Sequence, residues 1–225
     1  MVDLKKKTAV VTGASSGLGK AVAELLAEQS AKVFALARSV DKVELPSSVV
    51  KIPLNIRDLK SIDDAFAAID KETQTIDILV NCAGRALTKK FEETTREEIM
   101  DVFGVNLKGN IYIALEVYKR MIPEKNGYII NVSSTSGIKA RDMETIYCAS
   151  KWGLRGFTES LRLEGHAHGI RVSGVYPGGM NTNFWKENRE KASGYMDPKL
   201  IAEQIVQLLT IEPTVTPSEL ILERT

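Results

Sequence analysis

The segment TAVVTGASSGLG, residues 8–19, joins a short apolar run to a glycine-rich turn and to the start of a helix. Thr8–Thr12 is rich in β-branched residues, which predicts a strand buried on both faces. Thr12–Gly19 has glycine where a side chain would keep the backbone away from a ligand. The helix that follows would present unpaired N–H groups and its positive dipole end to an anion. The segment therefore predicts a nucleotide pyrophosphate site on a strand–turn–helix unit.

The remaining chain repeats the alternation of strands and helices. The predicted strands are Thr8–Thr12, Lys32–Leu36, Val49–Leu54, Ile76–Val80, Tyr128–Val132, Arg171–Val175 and Leu220–Leu222. The predicted helices are Leu18–Glu28, Ile62–Lys71, Arg96–Met121, Ala149–His166 and Lys199–Leu209. This order predicts parallel strands joined by right-handed crossovers, an α/β fold with a doubly wound parallel sheet of the Rossmann type. The 225 residues suffice for one such domain, which would span residues 1–225.

The charge of the chain is balanced, with 30 Lys and Arg residues against 29 Asp and Glu residues. That balance gives no reason to expect nucleic acid or an anionic membrane as a partner. The two cysteines, Cys82 and Cys148, do not form a Cys-x-x-Cys pair, so we expect reduced thiols. The polar first residues and the absence of a long apolar run predict a cytoplasmic protein without a membrane span. No metal site is expected.

Tyr147 and Lys151 stand four residues apart, a spacing that brings two side chains to one face of a helix. A free tyrosine has a pKa near ~10, and a nearby cation is expected to lower it. Tyr147 is thus predicted to exchange a proton with a carbonyl or alcohol oxygen. Ser134, after the fifth predicted strand, is predicted to hydrogen-bond that oxygen. Alone, Tyr-x-x-x-Lys is also typical of an exposed helix pair, and its weight comes from its combination with the glycine turn and Ser134.

Taken together, these residues closely resemble the single-domain short-chain dehydrogenase/reductase family. The resemblance runs from about Thr8 to Thr182. It depends on five motifs in order: Thr12–Gly19, then Asn81-Cys82-Ala83-Gly84, then Asn106 within Val105-Asn106-Leu107, then Ser134 with Tyr147 and Lys151, then Pro177-Gly178 followed by Thr182. Cys82 replaces the family's second asparagine. The resemblance implies an oxidoreductase that moves a hydride between a nicotinamide cofactor and a small-molecule carbonyl or alcohol.

The resemblance also implies a role for each matched position. Asn106, Ser134, Tyr147 and Lys151 would be catalytic, with Asn106 holding a water that links Lys151 to solvent. Lys151 would also bond the nicotinamide ribose, and Met180 and Thr182 would orient the carboxamide. The predicted cofactor-binding residues are Gly13, Ser15, Ser16, Gly17, Leu18, Gly19, Arg38, Ser39, Asn55, Ile56, Asn81, Ala83, Gly84, Tyr147, Lys151, Pro177, Gly178, Met180 and Thr182. Asn55 stands where the family often has an aspartate that contacts adenine.

The end of the second predicted strand indicates which nicotinamide cofactor is bound. NAD-specific proteins usually carry an acidic residue there, which bonds both ribose hydroxyls. In this chain the position is Ala37, and Arg38 follows it. A guanidinium donates paired hydrogen bonds to a 2′-phosphate. Because no carboxylate stands at position 37, that phosphate is not repelled there. The predicted cofactor is therefore NADP(H).

The longest stretch without periodicity predicts a substrate lid at residues 179–197. Its Phe184, Trp185 and Tyr195 would either form apolar walls of the pocket or pack the lid onto the body of the protein. Arg85, Met143 and Ile138–Arg141 are further candidates for lining the pocket. The resemblance also implies a homo-oligomer, a dimer or tetramer. Apolar residues of the long helices would lie either in its interface or in the core; they are Ile113, Val117, Trp152 and Phe157.

The sequence leaves three alternative functions open. A sugar-nucleotide epimerase or dehydratase can share the Tyr-x-x-x-Lys pair, but such enzymes usually have an extra substrate domain. A 3-oxoacyl-thioester reductase of fatty-acid synthesis would use the same chemistry on a defined substrate. A nucleotide-sensing protein that binds NADP(H) without turnover would need none of Ser134, Tyr147 and Lys151.

Overall fold

Residues 1–185 and 194–224 are described by the structure, which is a computed structural model. Within them, a seven-stranded sheet has the order β3-β2-β1-β4-β5-β6-β7, and every neighbouring pair is parallel. The strands are β1 (Thr8–Thr12), β2 (Lys32–Ala37), β3 (Val49–Pro53), β4 (Ile78–Asn81), β5 (Gly127–Val132), β6 (Ile170–Pro177) and β7 (Glu219–Leu222).

Helices cover both faces of the sheet. They are α1 (Gly17–Glu28), α2 (Leu59–Glu72), α3 (Arg96–Phe103), α4 (Asn110–Met121), α5 (Thr145–His166) and α6 (Pro198–Leu209). Successive strand residues point to opposite faces, so Val11 packs with α1 and α6, whereas Val10 packs with α2, α4 and α5. The two faces form two apolar cores, and both faces of the sheet are buried as in other parallel sheets.

The topology confirms the predicted doubly wound, single-domain fold. The chain passes from β1 through β2 to β3 and then returns to the other side of β1 as β4. The carboxyl ends of β1 and β4 therefore flank the point at which the direction of winding reverses. In open α/β sheets this crevice is where ligands bind.

The long predicted helix Arg96–Met121 is interrupted in the structure. Residues 96–103 are α-helical, Gly104–Gly109 form a π-helical segment, and the α-helix resumes at Asn110. The prediction missed this segment because the apolar periodicity continues across it. π-Helical turns inside α-helices are frequent at functional sites, and this one contains Asn106.

The four apolar helix residues predicted to lie in the core or in an interface differ in burial. Ile113 and Val117 are fully buried and belong to the core, and Phe157 packs against that core from a half-buried position. Trp152 remains 47% exposed on α5. Among the residues described, no helix is both long and apolar enough to cross a membrane.

Gly109 is a position where the fold has no space for a side chain. A Cβ atom there would lie 2.6 Å from the carbonyl oxygen of Ile56, which is backbone and has little freedom to move. We expect Gly109→Ala to lower the free energy of unfolding by about 1–3 kcal/mol, as overpacking does.

Gly156 provides the matched control, because a Cβ atom at this helical position would meet nothing within 4 Å. Gly156→Ala should raise the free energy of unfolding by about 0.5–1 kcal/mol. Urea denaturation of the two variants and the wild type measures both changes. Equal stability of Gly109→Ala and the wild type would contradict the close packing of the π-helical segment.

Candidate active site

The glycine turn lies at the carboxyl end of β1. Gly13 and Gly17 have φ angles of 68° and 52°, which favour glycine. A Cβ atom on Gly13 would come within 2.9 Å of the Ala83 backbone, so the turn packs closely against the segment after β4. Ser16 is the extended N-cap of α1, and its side chain makes no capping bond within the described residues. The first N–H groups of α1 are thus left for a phosphate, which fits the predicted dinucleotide site.

A chain of buried hydrogen bonds runs across the sheet below this turn. The Thr12 hydroxyl accepts from the Ala83 N–H at 3.2 Å and donates to Asn81 Oδ1 at 3.4 Å. Asn81 Nδ2 donates to Asn131 Oδ1 at 2.9 Å. Asn131 Nδ2 in turn donates to the Thr158 hydroxyl at 3.0 Å. The chain connects β1, β4 and β5 to α5, so it links the glycine turn to the helix that carries Tyr147 and Lys151.

Sequence reasoning missed two members of this chain, Asn131 and Thr158. The sequence pattern predicts only that Asn131 lies in a buried strand and Thr158 in a helix. Both are fully or almost fully buried polar residues, at 0% and 1% exposure. The signal that could have identified Asn131 is an amide within an otherwise apolar strand, because a buried amide requires partners.

Asn106 is fully buried in the π-helical segment and binds protein groups with both side-chain atoms. Its Oδ1 accepts from the Arg85 N–H at 2.7 Å, and its Nδ2 donates to the Arg85 carbonyl at 2.9 Å and to the Ser150 hydroxyl at 3.0 Å. These bonds fix the segment after Gly84 against α5. The predicted role of Asn106 in holding a water stays a prediction.

Ser134, Tyr147 and Lys151 meet at the carboxyl end of β5. Ser134 accepts a hydrogen bond from the Ser136 N–H at 3.1 Å and is also hydrogen-bonded to the Tyr147 phenol. Lys151 Nζ donates to the Val132 carbonyl at 3.0 Å and lies 5.9 Å from the centre of the Tyr147 ring. Tyr147 and Lys151 are both buried, and α5 begins early enough, at Thr145, to carry both of them.

Burial determines the proton affinities of these side chains. It raises the pKa of Tyr147, an effect that the hydrogen bond from Ser134 only partly offsets. This direction is opposite to the one predicted from the sequence, because desolvation of the phenolate outweighs the Ser134 hydrogen bond and the favourable charge of Arg141. Burial also lowers the pKa of the Lys151 ammonium to about 8. The Cys82 thiol has its pKa raised to about 12 by burial, so it stays protonated at neutral pH.

The residues predicted to bind the adenosine side follow β2 and β3. Arg38 and Ser39 are exposed, directly after β2, and the Ala14 N–H of the glycine turn donates to the Leu36 carbonyl at 3.3 Å. Asn55 Oδ1 accepts from the Arg57 N–H at 3.3 Å, which uses one of its acceptor sites within the loop. Ile56 is buried against Gly109 and contributes to the core.

The residues after β6 approach the same edge of the sheet. Pro177 ends β6, and the Gly178 N–H donates to the Leu222 carbonyl of β7 at 2.8 Å. Met180 forms a bridge with Met196, and the Thr182 methyl lies 3.0 Å from a Cβ atom built on Gly17. The structure therefore brings Thr182 to the glycine turn.

The predicted lid is described only in part. Phe184 lies with its ring 6.0 Å from the Tyr147 ring and 3.3 Å from a Cβ atom built on Gly84, so it packs over the candidate site. Residues 186–193 and the side chain of Trp185 lie outside the described residues. Tyr195 packs against Gly179, since a Cβ atom there would meet its ring at 2.8 Å.

Comparisons of the sequence with family models and with curated proteins agree on one family of oxidoreductases. A family described as short chain dehydrogenase matches residues 7–193. An uncharacterized oxidoreductase of Staphylococcus aureus is 31% identical, with 98% of each chain covered.

Solved structures agree with the sequence relatives. Serine dehydrogenase with NADP+ has a TM-score of 0.89 at 27% identity and covers 96% of this chain and 94% of its own. A variant of the actinorhodin polyketide ketoreductase with NADPH has a TM-score of 0.89 at 29% identity, with 99% and 97% covered. 4-Hydroxyisoleucine dehydrogenase with NADH has a TM-score of 0.88 at 25% identity, with 97% of each chain covered.

The buried ammonium of Lys151 should make stability depend on pH. Its pKa falls from the ordinary 10.5 to about 8 on folding, so between these values the unfolded chain binds more protons. Stability contributed by this residue therefore rises as pH increases through that window. We expect Lys151→Met to be more stable than the wild type at pH 7 by about 1–3 kcal/mol, because a desolvated charge is removed while one hydrogen bond is lost.

The stability advantage of Lys151→Met should shrink as the pH rises from 8 towards 10.5. Urea denaturation at several pH values measures this, with Lys71→Met, an exposed position, as the control expected to change by less than about 0.5 kcal/mol. A loss of stability in Lys151→Met at pH 7, or a difference that does not vary with pH, would contradict the assigned cost of burial.

Proposed function

Because the chain belongs to the short chain dehydrogenase family, we propose that it is an NADP(H)-dependent oxidoreductase that interconverts a carbonyl and an alcohol. The observation that carries the proposal is the convergence of Ser134, Tyr147 and Lys151 beside the end of β5, with the glycine turn at the neighbouring crevice. Bound NADP(H) would supply or accept the hydride at C4 of its nicotinamide ring. The chain's own residues would hold the substrate and move the proton.

Tyr147 is the proposed proton donor in the reductive direction. Its raised pKa keeps the phenol protonated at neutral pH, which is the form that donates to a carbonyl oxygen. The Ser134 hydroxyl, already bonded to that phenol, would hydrogen-bond the same substrate oxygen and stabilise the charge that develops on it. Lys151 would bind the ribose and, with a pKa of about 8, exchange protons with its surroundings near neutral pH.

The choice of NADP(H) depends on Arg38. The guanidinium is exposed directly beyond β2, beside the glycine turn that would hold the pyrophosphate. Two of the solved relatives described above are complexes with NADP+ or NADPH and one is a complex with NADH, which supports a nicotinamide cofactor and favours the phosphorylated form. The remaining proposed contacts are Asn55 with adenine, and Met180 and Thr182 with the carboxamide.

A 3-oxoacyl-thioester reductase is the second candidate function, because a polyketide ketoreductase is among the solved relatives. It would use the same residues on a substrate attached to a carrier. A sensor that binds NADP(H) without turnover is disfavoured. Binding alone requires neither a phenol that is hydrogen-bonded to Ser134 nor a buried ammonium near that phenol.

The lid over residues 179–197 is part of the proposal, and Phe184 supports it through its contact with the Tyr147 ring. The homo-oligomer and the cytoplasmic location stay predictions.

Tyr147→Phe tests the proposed chemistry. The variant lacks the transferable proton, so oxidation of NADPH by a panel of aldehydes, ketones and quinones should fall by about 10²- to 10⁴-fold. NADPH binding, followed by nucleotide fluorescence, should persist because the glycine turn is untouched. Tyr112→Phe, which removes a hydroxyl from half-buried Tyr112 on α4, is the control that should keep full activity. Undiminished turnover in Tyr147→Phe would refute the assigned role.

Arg38→Asp tests the cofactor assignment. The substitution removes a donor to the 2′-phosphate and adds a repelling carboxylate, so kcat/KM for NADPH should fall by about 10- to 100-fold relative to that for NADH. Lys71→Asp makes a similar change of charge near the amino edge of the sheet, where Lys32 at the start of β2 contacts Glu72, and should leave the ratio unchanged. A ratio in Arg38→Asp equal to that of the wild type would remove the basis for NADP(H).

A further inference from the structure

A cavity with a volume of about 290 Å³ opens at the edge of the sheet that carries the candidate active site. We call it the arginine cleft. Its lining residues are Arg141, Gly178, Gly179, Tyr195, Glu223 and Arg224. They come from the loop after β5, the segment after β6 and the end of β7, so the cleft lies at the carboxyl edge of these strands.

Arg141 links the arginine cleft to the proposed reaction site. Its positive charge acts on the Tyr147 phenol in the direction that lowers the phenol's pKa, and its Nη2 donates to the Thr135 hydroxyl at 3.0 Å. Thr135 is only 2% exposed, so it gives the guanidinium a fixed anchor. On the other side, the Gly178 N–H bonds to the Leu222 carbonyl and holds the start of the 223–224 segment against β6. A short substrate whose carbonyl oxygen contacts Ser134 could therefore extend into the cleft.

Among the described residues that line the cleft, positive charges outnumber negative ones. These residues carry one carboxylate, that of Glu223, which pairs with Lys139, whose Nζ lies 3.0 and 3.1 Å from the two oxygens. Arg141 and Arg224 donate to uncharged oxygens, the Thr135 hydroxyl and the Gly194 carbonyl. Within residues 1–185 and 194–224, neither guanidinium has a carboxylate at ion-pair distance. By contrast, Arg155 behind the same strands pairs with Glu219 at 2.8 Å.

We infer that the arginine cleft binds a carboxylate of the substrate, so that the enzyme acts preferentially on small oxo acids or hydroxy acids. The inference rests on the proposed function. A guanidinium matches a carboxylate with two parallel hydrogen bonds and stays charged at every physiological pH. Binding at this point would fix the distance between the charged end of the substrate and its reacting carbonyl, which lowers the entropy cost of reaching the transition state.

The proximity of Arg141 to Tyr147 favours a small acid over a carrier-bound substrate. In an acyl thioester of a phosphopantetheine arm, the phosphate is separated from the reacting carbonyl by many rotatable bonds. A group so distant does not fit a site whose guanidinium is close enough to act on the Tyr147 phenol. The carboxylate of a molecule of about four to six carbons does, since extended chains span only a few ångströms over such lengths.

The kinetic test compares acids with their neutral esters. The probes are 4-oxobutanoate and methyl 4-oxobutanoate with NADPH, and 3-hydroxybutanoate and its methyl ester with NADP+. In the wild type, kcat/KM for each acid should exceed that for its ester. In Arg141→Gln the acid-to-ester ratio should fall by about 10- to 100-fold, the range expected for a charge-assisted hydrogen bond. Arg162→Gln, on the exposed side of α5, should leave the ratio as in the wild type.

A binding measurement separates this inference from the proposed function. Calorimetric titration of the NADP+-loaded protein with malonate and with dimethyl malonate needs no turnover. Tighter binding of malonate, weakened in Arg141→Gln but not in Arg162→Gln, supports the cleft even if the oxidoreductase assay fails. Equal binding of the acid and the diester overturns the inference while leaving the proposed function standing. A third result also overturns the inference: Arg141→Gln lowers kcat/KM for acetoacetyl-coenzyme A but leaves kcat/KM for acetoacetyl-N-acetylcysteamine unchanged. That result would assign the cleft to the phosphate of a carrier.

Discussion

The hydrogen bond from Lys151 to the Val132 carbonyl holds the candidate site together. It joins the first turns of α5 to the end of β5, and it holds a buried ammonium that is only 3% exposed. A buried charge is tolerated only where the protein supplies partners, so the backbone at this point must keep its position. This contact is one of the polar bonds that fix α5, and with it Tyr147, against β5.

The chain of buried hydrogen bonds from Thr12 to Thr158 extends the same constraint across the sheet. Each amide in it has both a donor and an acceptor engaged, which fixes the relative positions of β1, β4 and β5. Apolar packing alone tolerates small shifts between elements, whereas a hydrogen bond in a buried position loses most of its strength when its geometry changes. The distance from the glycine turn to Tyr147 is therefore determined by polar contacts beneath the site, not only by the core.

Most of the fold could be predicted from the sequence, because buried parallel strands are short continuous apolar runs with clear boundaries. Thr8–Thr12 matches β1 residue for residue. The structure starts α5 at Thr145, four residues before the predicted start at Ala149. Its N-cap, Glu144, makes no side-chain capping bond within the described part of the chain, so the usual signal for a helix start is missing.

The candidate site was predicted less completely than the fold. Motifs identified Ser134, Tyr147 and Lys151, and the structure brings these three together. The pKa direction of Tyr147 could not be predicted, because spacing along a helix indicates proximity to a cation but not the extent of burial. The sequence predicts Arg141 as a residue that lines the pocket, but it does not predict the charge around Arg141. That charge depends on the pairing of Lys139 with Glu223, two residues that are 84 positions apart in the chain.

The parallel arrangement of the sheet separates the two ends of the described chain. Residues 1–7 lead into β1 at the amino edge, where the Val2 N–H bonds to Thr210 just after α6. Glu223 and Arg224 follow β7 at the opposite edge and line the cleft. An affinity tag or reporter domain joined beyond Arg224 would therefore begin at the mouth of the catalytic side, whereas one joined before Met1 would begin at the far side of the molecule. For kinetic work, the amino-terminal fusion is the arrangement that leaves substrate access unobstructed.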